Sequence, residues 1–82
     1  MNILMIEDDR ELCSAVSFRL EQEGFSVTLC HDGEEGLYYM QETPYDLAIL
    51  DRMLPHMNGI EILKEARSRQ IKTPFIILTA LG

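Results

Sequence analysis

The chain is 82 residues long, 46% apolar and 26% charged, which fits one small domain with a hydrophobic core and argues against disorder. Its 14 acidic residues against 7 basic ones give a formal charge of −7. Binding nucleic acid rests on neutralising phosphates with Lys and Arg, so this segment is not expected to do so by itself.

Ile3-Leu4-Met5-Ile6 is a short continuous apolar run, the pattern of a strand buried on both faces. Glu7-Asp8-Asp9 ends it, and Asp9 is placed to cap a helix. From Arg10 to Glu23, Leu12, Val16 and Leu20 recur every four positions as a helical stripe, and Gly24 stands where a C-terminal glycine belongs. Phe25 to Cys30 alternates and is β-branched, a second strand. Asp32-Gly33 marks a turn, and Glu34 to Glu42 reads as a short helix carrying Leu37 and Met40. Gly36 within it costs about 1 kcal/mol against Ala. Thr43-Pro44 closes that helix. Leu47-Ala48-Ile49-Leu50 is a third strand, ended by Asp51. Leu54 to Gly59 is a loop, and Ile60 to Gln70 a helix with Ile62, Leu63 and Ala66 on one side. After Thr73-Pro74 comes a fourth strand, Phe75-Ile76-Ile77-Leu78.

The order βαβαβαβ predicts an α/β fold, a parallel sheet with helices on both faces. No repeat or linker interrupts it. Such a sheet normally has both faces covered, and no helix follows the fourth strand, so the chain is expected to stop inside a domain. No run reaches the length of a membrane span, and Met1 to Ile6 carries no basic leader. The expectation is therefore no signal peptide, no membrane partner and a cytoplasmic location. Cys13 and Cys30 show no metal-type spacing and read as free thiols that pack as small hydrophobes.

In a doubly wound sheet, function sits beyond the C-terminal strand ends, where chain order reverses. Here those ends carry Glu7-Asp8-Asp9, Asp51 and Thr79. If the first and third strands are neighbours, several carboxylates converge. Their repulsion calls for a divalent cation, and an oxygen-only anionic pocket suits Mg²⁺. One carboxylate could then act as a nucleophile on phosphorus, with Thr79 bonding a phosphate oxygen.

The blocks Ile3 to Asp9, Leu47 to Gly59 and Pro74 to Ala80 together resemble bacterial response-regulator receiver domains, most of all those of OmpR-like winged-helix transcription regulators. The resemblance spans the whole chain, as the N-terminal portion (residues 1–82) of a receiver. It implies a flavodoxin-like sheet of strand order 2-1-3-4, lacking a last strand and two helices. Glu7 and Asp8 match the acidic pair that holds Mg²⁺. Asp51 matches the phosphoacceptor and a further metal ligand, and Met53 would give its backbone carbonyl. Thr79 matches the switch hydroxyl, Ala80 the small residue beside it, and Pro55 and Gly59 the turn after the acceptor. A sensor histidine kinase is the implied phosphodonor and a DNA-binding domain the implied output. The receiver catalyses part of the transfer without being a conventional enzyme. Two features depart from the family. Gly36 stands where alanine is frequent. The lysine of the further strand is not among these residues, and Lys72 lies on the wrong side of the fourth strand to replace it. Mg²⁺ binding is thus expected to be weak, and phosphotransfer slow or lost.

Plainer readings exist for each residue. Glu7, Asp8 and Asp9 could be a solvated turn that favours a helix N-terminus, and Thr79 an ordinary strand-end residue. Asp9 reads as a cap rather than a ligand. His31 and His56 read as surface residues. Two other functions compete with the phosphoswitch. An aspartate-nucleophile phosphatase of the haloacid dehalogenase type would need DxD, but Arg52 and Met53 follow Asp51. An assembly fragment would dimerise or swap through an exposed sheet edge at Phe75 to Leu78.

Overall fold

A computed structural model describes residues 1–51, 54 and 57–78. The elements follow the order β1 (Asn2–Ile6), α1 (Arg10–Gln22), β2 (Ser26–Cys30), α2 (Gly33–Glu42), β3 (Leu47–Asp51), α3 (Gly59–Ser68) and β4 (Phe75–Leu78). All pairings are parallel and the sheet order is β2-β1-β3-β4, as the resemblance implied. The chain steps from β1 to β2 in one direction, then crosses back over β1 to reach β3. Right-handed crossovers therefore put α1 on one face and α2 and α3 on the other.

β1 is central. Ile3, Leu4, Met5 and Ile6 are all buried, so both faces of the strand are covered and no alternation is visible in the sequence. Leu4 and Ile6 belong to the core under α2 and α3, with Cys30, Leu37, Met40, Ala48, Leu50, Leu54, Ile62 and Ala66. Ile3 and Met5 point to the opposite face. Burying each such side chain stabilises the fold by about 1.5–3 kcal/mol. Both cysteines are free and buried, as expected of small hydrophobes, and burial pushes the Cys30 thiol up to about 12. Among the described residues no helix is long and apolar enough to cross a membrane.

Helix ends follow local chemistry. The Asp9 carboxylate accepts from the Leu12 N–H at 3.1 Å, and Asp32 does the same for Glu35 at 2.8 Å. Asn58 and Glu61 form a reciprocal capping box at the start of α3. Gly24 follows α1 at φ +94°, the left-handed conformation its position called for. α3 ends at Ser68, short of the expected Gln70, because Gln70 itself takes φ +63°. The Arg67 guanidinium then ties down the turn into β4. It donates to the Ile71 and Thr73 carbonyls at 2.6 and 2.9 Å and lies over the Phe75 ring.

Two expectations need correction. The buried residues of α1 are Cys13 and Ser17, while Leu12 is 40% exposed and Val16 and Leu20 only half-buried. The stripe facing the sheet is one position off the apolar one, carried by small side chains that let the helix approach. Gly36 is also more than a weak point in α2. A Cβ there would lie 2.8 Å from Ile6 Cγ1 and closer still to Cδ1. With Ile6 beneath it α2 leaves no room for a Cβ at this position, and Ile6 is fully buried and has little room to yield. Gly36→Ala is therefore expected to destabilise the fold by about 1–3 kcal/mol in spite of its helix propensity. Urea unfolding of Gly36→Ala, Ile6→Val and the double variant checks this. A favourable coupling between the two sites is expected, and simple additivity would show that the contact does not matter.

Candidate cation and phosphoacceptor site

Ile6 pairs with Leu50 across the β1–β3 ladder. The residues that follow, Glu7 and Asp51, therefore stand side by side where β1 and β3 end. This is the switch point of the sheet, since the connections leaving β1 and β3 run to opposite sides. Glu7, Asp8 and Asp51 each place a carboxylate oxygen within 4.8 Å of the others. Glu7 is buried, Asp51 half-buried and Asp8 exposed, so the cluster is a cup open on one side.

The backbone of Glu7 is held from several directions. Its N–H donates to the Cys30 carbonyl at 3.0 Å. Its carbonyl accepts from His31 Nδ1 at 2.9 Å and from Cys13 Sγ at 3.4 Å. Its side chain accepts from the Asp9 N–H at 3.1 Å. Burial pushes the Glu7 carboxyl up to about 7. The Asp9 N–H works against that rise, and the Asp8 and Asp51 carboxylates reinforce it.

The donor set fits a hard divalent cation. Among the described residues it consists of oxygen atoms only, it concentrates negative charge, and Glu7 has too little solvent to carry its charge unaided. Sequence reasoning placed Glu7, Asp8 and Asp51 together, and the structure brings all three to one point. Asp9 caps α1, as expected. Met53, Pro55, His56, Thr79 and Ala80 lie outside the described residues. His31, read from sequence as a surface residue, instead bonds the backbone of Glu7. The signal for it was position: it directly follows β2, which neighbours β1.

Known proteins share this fold. Residues 3–82 match the response regulator receiver domain family. The transcriptional regulatory protein CpxR of Escherichia coli is 48% identical over 80 residues, covering 98% of this chain and 34% of that protein. DltR of Streptococcus agalactiae, also a transcriptional regulatory protein, is 41% identical over 80 residues, with 98% and 36% covered. The chain thus spans about a third of the length of these curated relatives. Among solved structures, the receiver domain of the Francisella response regulator 1452 superposes with a TM-score of 0.92 at 34% identity, covering 99% of this chain and 67% of that one. The Thermotoga maritima response regulator TrrA, solved in complex with Mg²⁺ and BeF, gives 0.90 at 31% identity, with 99% and 70% covered. The family match over nearly the whole chain, the identity to CpxR and the superposition of the fold agree with one another, and the chain belongs to the response regulator receiver domain family.

Proposed function

We propose that Asp51 is the phosphoacceptor of a two-component signalling protein and that Glu7, Asp8 and Asp51, with the Met53 carbonyl, hold Mg²⁺. The observation that carries this reading is the meeting of three carboxylates at the switch point of the sheet. An Asp51 carboxylate oxygen attacks the phosphorus of a phosphohistidine on a sensor kinase. The P–N bond breaks, an acyl phosphate forms, and the leaving imidazole nitrogen takes up a proton. Mg²⁺, when bound, neutralises charge on the transferring group. Glu7 and Asp8 orient the cation, and Thr79 supplies the hydroxyl that responds to the phosphate. Control of a DNA-binding output belongs to the same proposal, supported by the names of CpxR and DltR. The chain acts as a switch whose phosphorylated state biases a two-state surface, rather than as a conventional enzyme.

The test is the intact mass of the chain after incubation with Mg²⁺ and acetyl phosphate. A slow, Mg²⁺-dependent phosphate adduct is expected, absent from Asp51→Asn. An adduct that persists in Asp51→Asn would overturn the assignment.

Charge linkage gives a second check. A carboxyl raised to about 7 in the folded chain and lower when unfolded favours the fold at acid pH. That contribution fades as pH rises through about 7. Without a cation, thermal stability should therefore fall between about pH 5 and pH 8, and Glu7→Gln should flatten the slope. Mg²⁺ competes with the proton, so its stabilisation should be large at pH 8 and vanish near pH 5. A Mg²⁺ effect independent of pH across melts in that range would count against Glu7 as a ligand.

A second reading, assembly through the sheet edge, draws on one observation. Among the described residues β4 pairs only with β3, and Ile76 and Leu78 are 49% and 40% exposed. Edges of this kind pair with other chains. Sedimentation should then show a concentration-dependent dimer that Ile76→Lys disperses. A monomer at all concentrations would remove this reading.

A further inference from the structure

We infer that His31 is a positioning residue for the cation pocket, holding the Glu7 carbonyl through Nδ1–H so that the carboxylates of Glu7 and Asp8 stay aimed at Asp51. The inference rests on the reading of the pocket as a Mg²⁺ site.

The Glu7 carbonyl can only accept, so the 2.9 Å contact with His31 Nδ1 requires the proton on Nδ1. Among the described residues the carbonyl's other partner is the Cys13 thiol at 3.4 Å, a weak donor. His31 therefore supplies the main restraint on this oxygen.

Cys30 and His31 are consecutive and grip Glu7 from the same strand end. The Cys30 carbonyl takes the Glu7 N–H, and the His31 ring takes the Glu7 carbonyl. That carbonyl belongs to the peptide joining Glu7 to Asp8. Its plane sets the direction in which both side chains leave the backbone. Turning it would move Asp8 relative to Glu7, and the three oxygens meet only within a few ångströms. Groups bonded to the ligating side chains themselves typically change metal affinity 10- to 100-fold when removed, and His31, which acts through the backbone of a ligating residue, is expected at the lower end of that range.

The test compares two side chains of similar shape. His31→Asn keeps an N–H at the place of Nδ1, while His31→Leu fills the same space with no donor. Mg²⁺ titration of the folded chains, followed by calorimetry, should show His31→Leu weakened about 10-fold or more and His31→Asn close to the parent. Equal affinity of parent and His31→Leu would overturn the inference while leaving the Mg²⁺ site standing. Equal weakening of both variants would overturn it too, because the hydrogen bond would not be the device. If the parent binds no Mg²⁺, or Asp51→Asn binds as well as the parent, the pocket reading itself fails and takes the inference with it. A measurement on the parent alone covers the case in which the variants do not fold. Nitrogen NMR should find the neutral ring of His31 as the Nδ1–H tautomer, and an Nε2–H tautomer would overturn the proposal.

Discussion

Everything in this fold depends on β1 lying between two parallel neighbours. A strand paired on both edges and covered on both faces offers its side chains no solvent, so Ile3 to Ile6 must all be apolar. Central placement also fixes where the chain order reverses, because the connections leaving β1 and its neighbour β3 run to opposite sides. The crevice that results is a matter of connectivity, independent of which residues fill it. The sequence fills it with acid at the first residue beyond the apolar run. The change from Ile6 to Glu7 marks both the end of the core and the start of the chemistry.

Glu7 illustrates the electrostatic cost of that arrangement. A carboxyl at 4% exposure beside two others resists ionisation. The backbone around it is correspondingly well determined, with its N–H and C=O both bonded to the end of β2. Negative charge is concentrated where the backbone is held by several hydrogen bonds, so a cation would meet ligands already in place.

Much of this was legible in the residues. Continuous apolar runs, helix caps at Asp9 and the glycine at position 24 are local signals, and local chemistry decided them. Strand order was different. Alternation of elements implies a parallel sheet, but only the family resemblance supplied 2-1-3-4. Tertiary contacts were hidden. Cys13 and Ser17 face the sheet because they are small, while a search for large apolar residues settles on Leu12. The role of Gly36 depends on how near Ile6 comes, and that of His31 on a backbone oxygen 24 positions earlier. Neither distance is written in the local sequence. At the site, the meeting of Glu7, Asp8 and Asp51 followed from strand ends alone, once β1 and β3 were taken as neighbours.

Asp9 carries one more consequence. Its carboxylate begins α1 by accepting from Leu12, while its own N–H is given to the side chain of Glu7. One residue thus closes two circuits, one belonging to the helix and the other to the acidic cup. A Glu7 carboxylate that moved would have to release the Asp9 N–H or draw it along, and Asp9 is the residue from which α1 starts. The acidic cup and the first turn of α1 therefore share an amide, and a change in one is felt at the cap of the other.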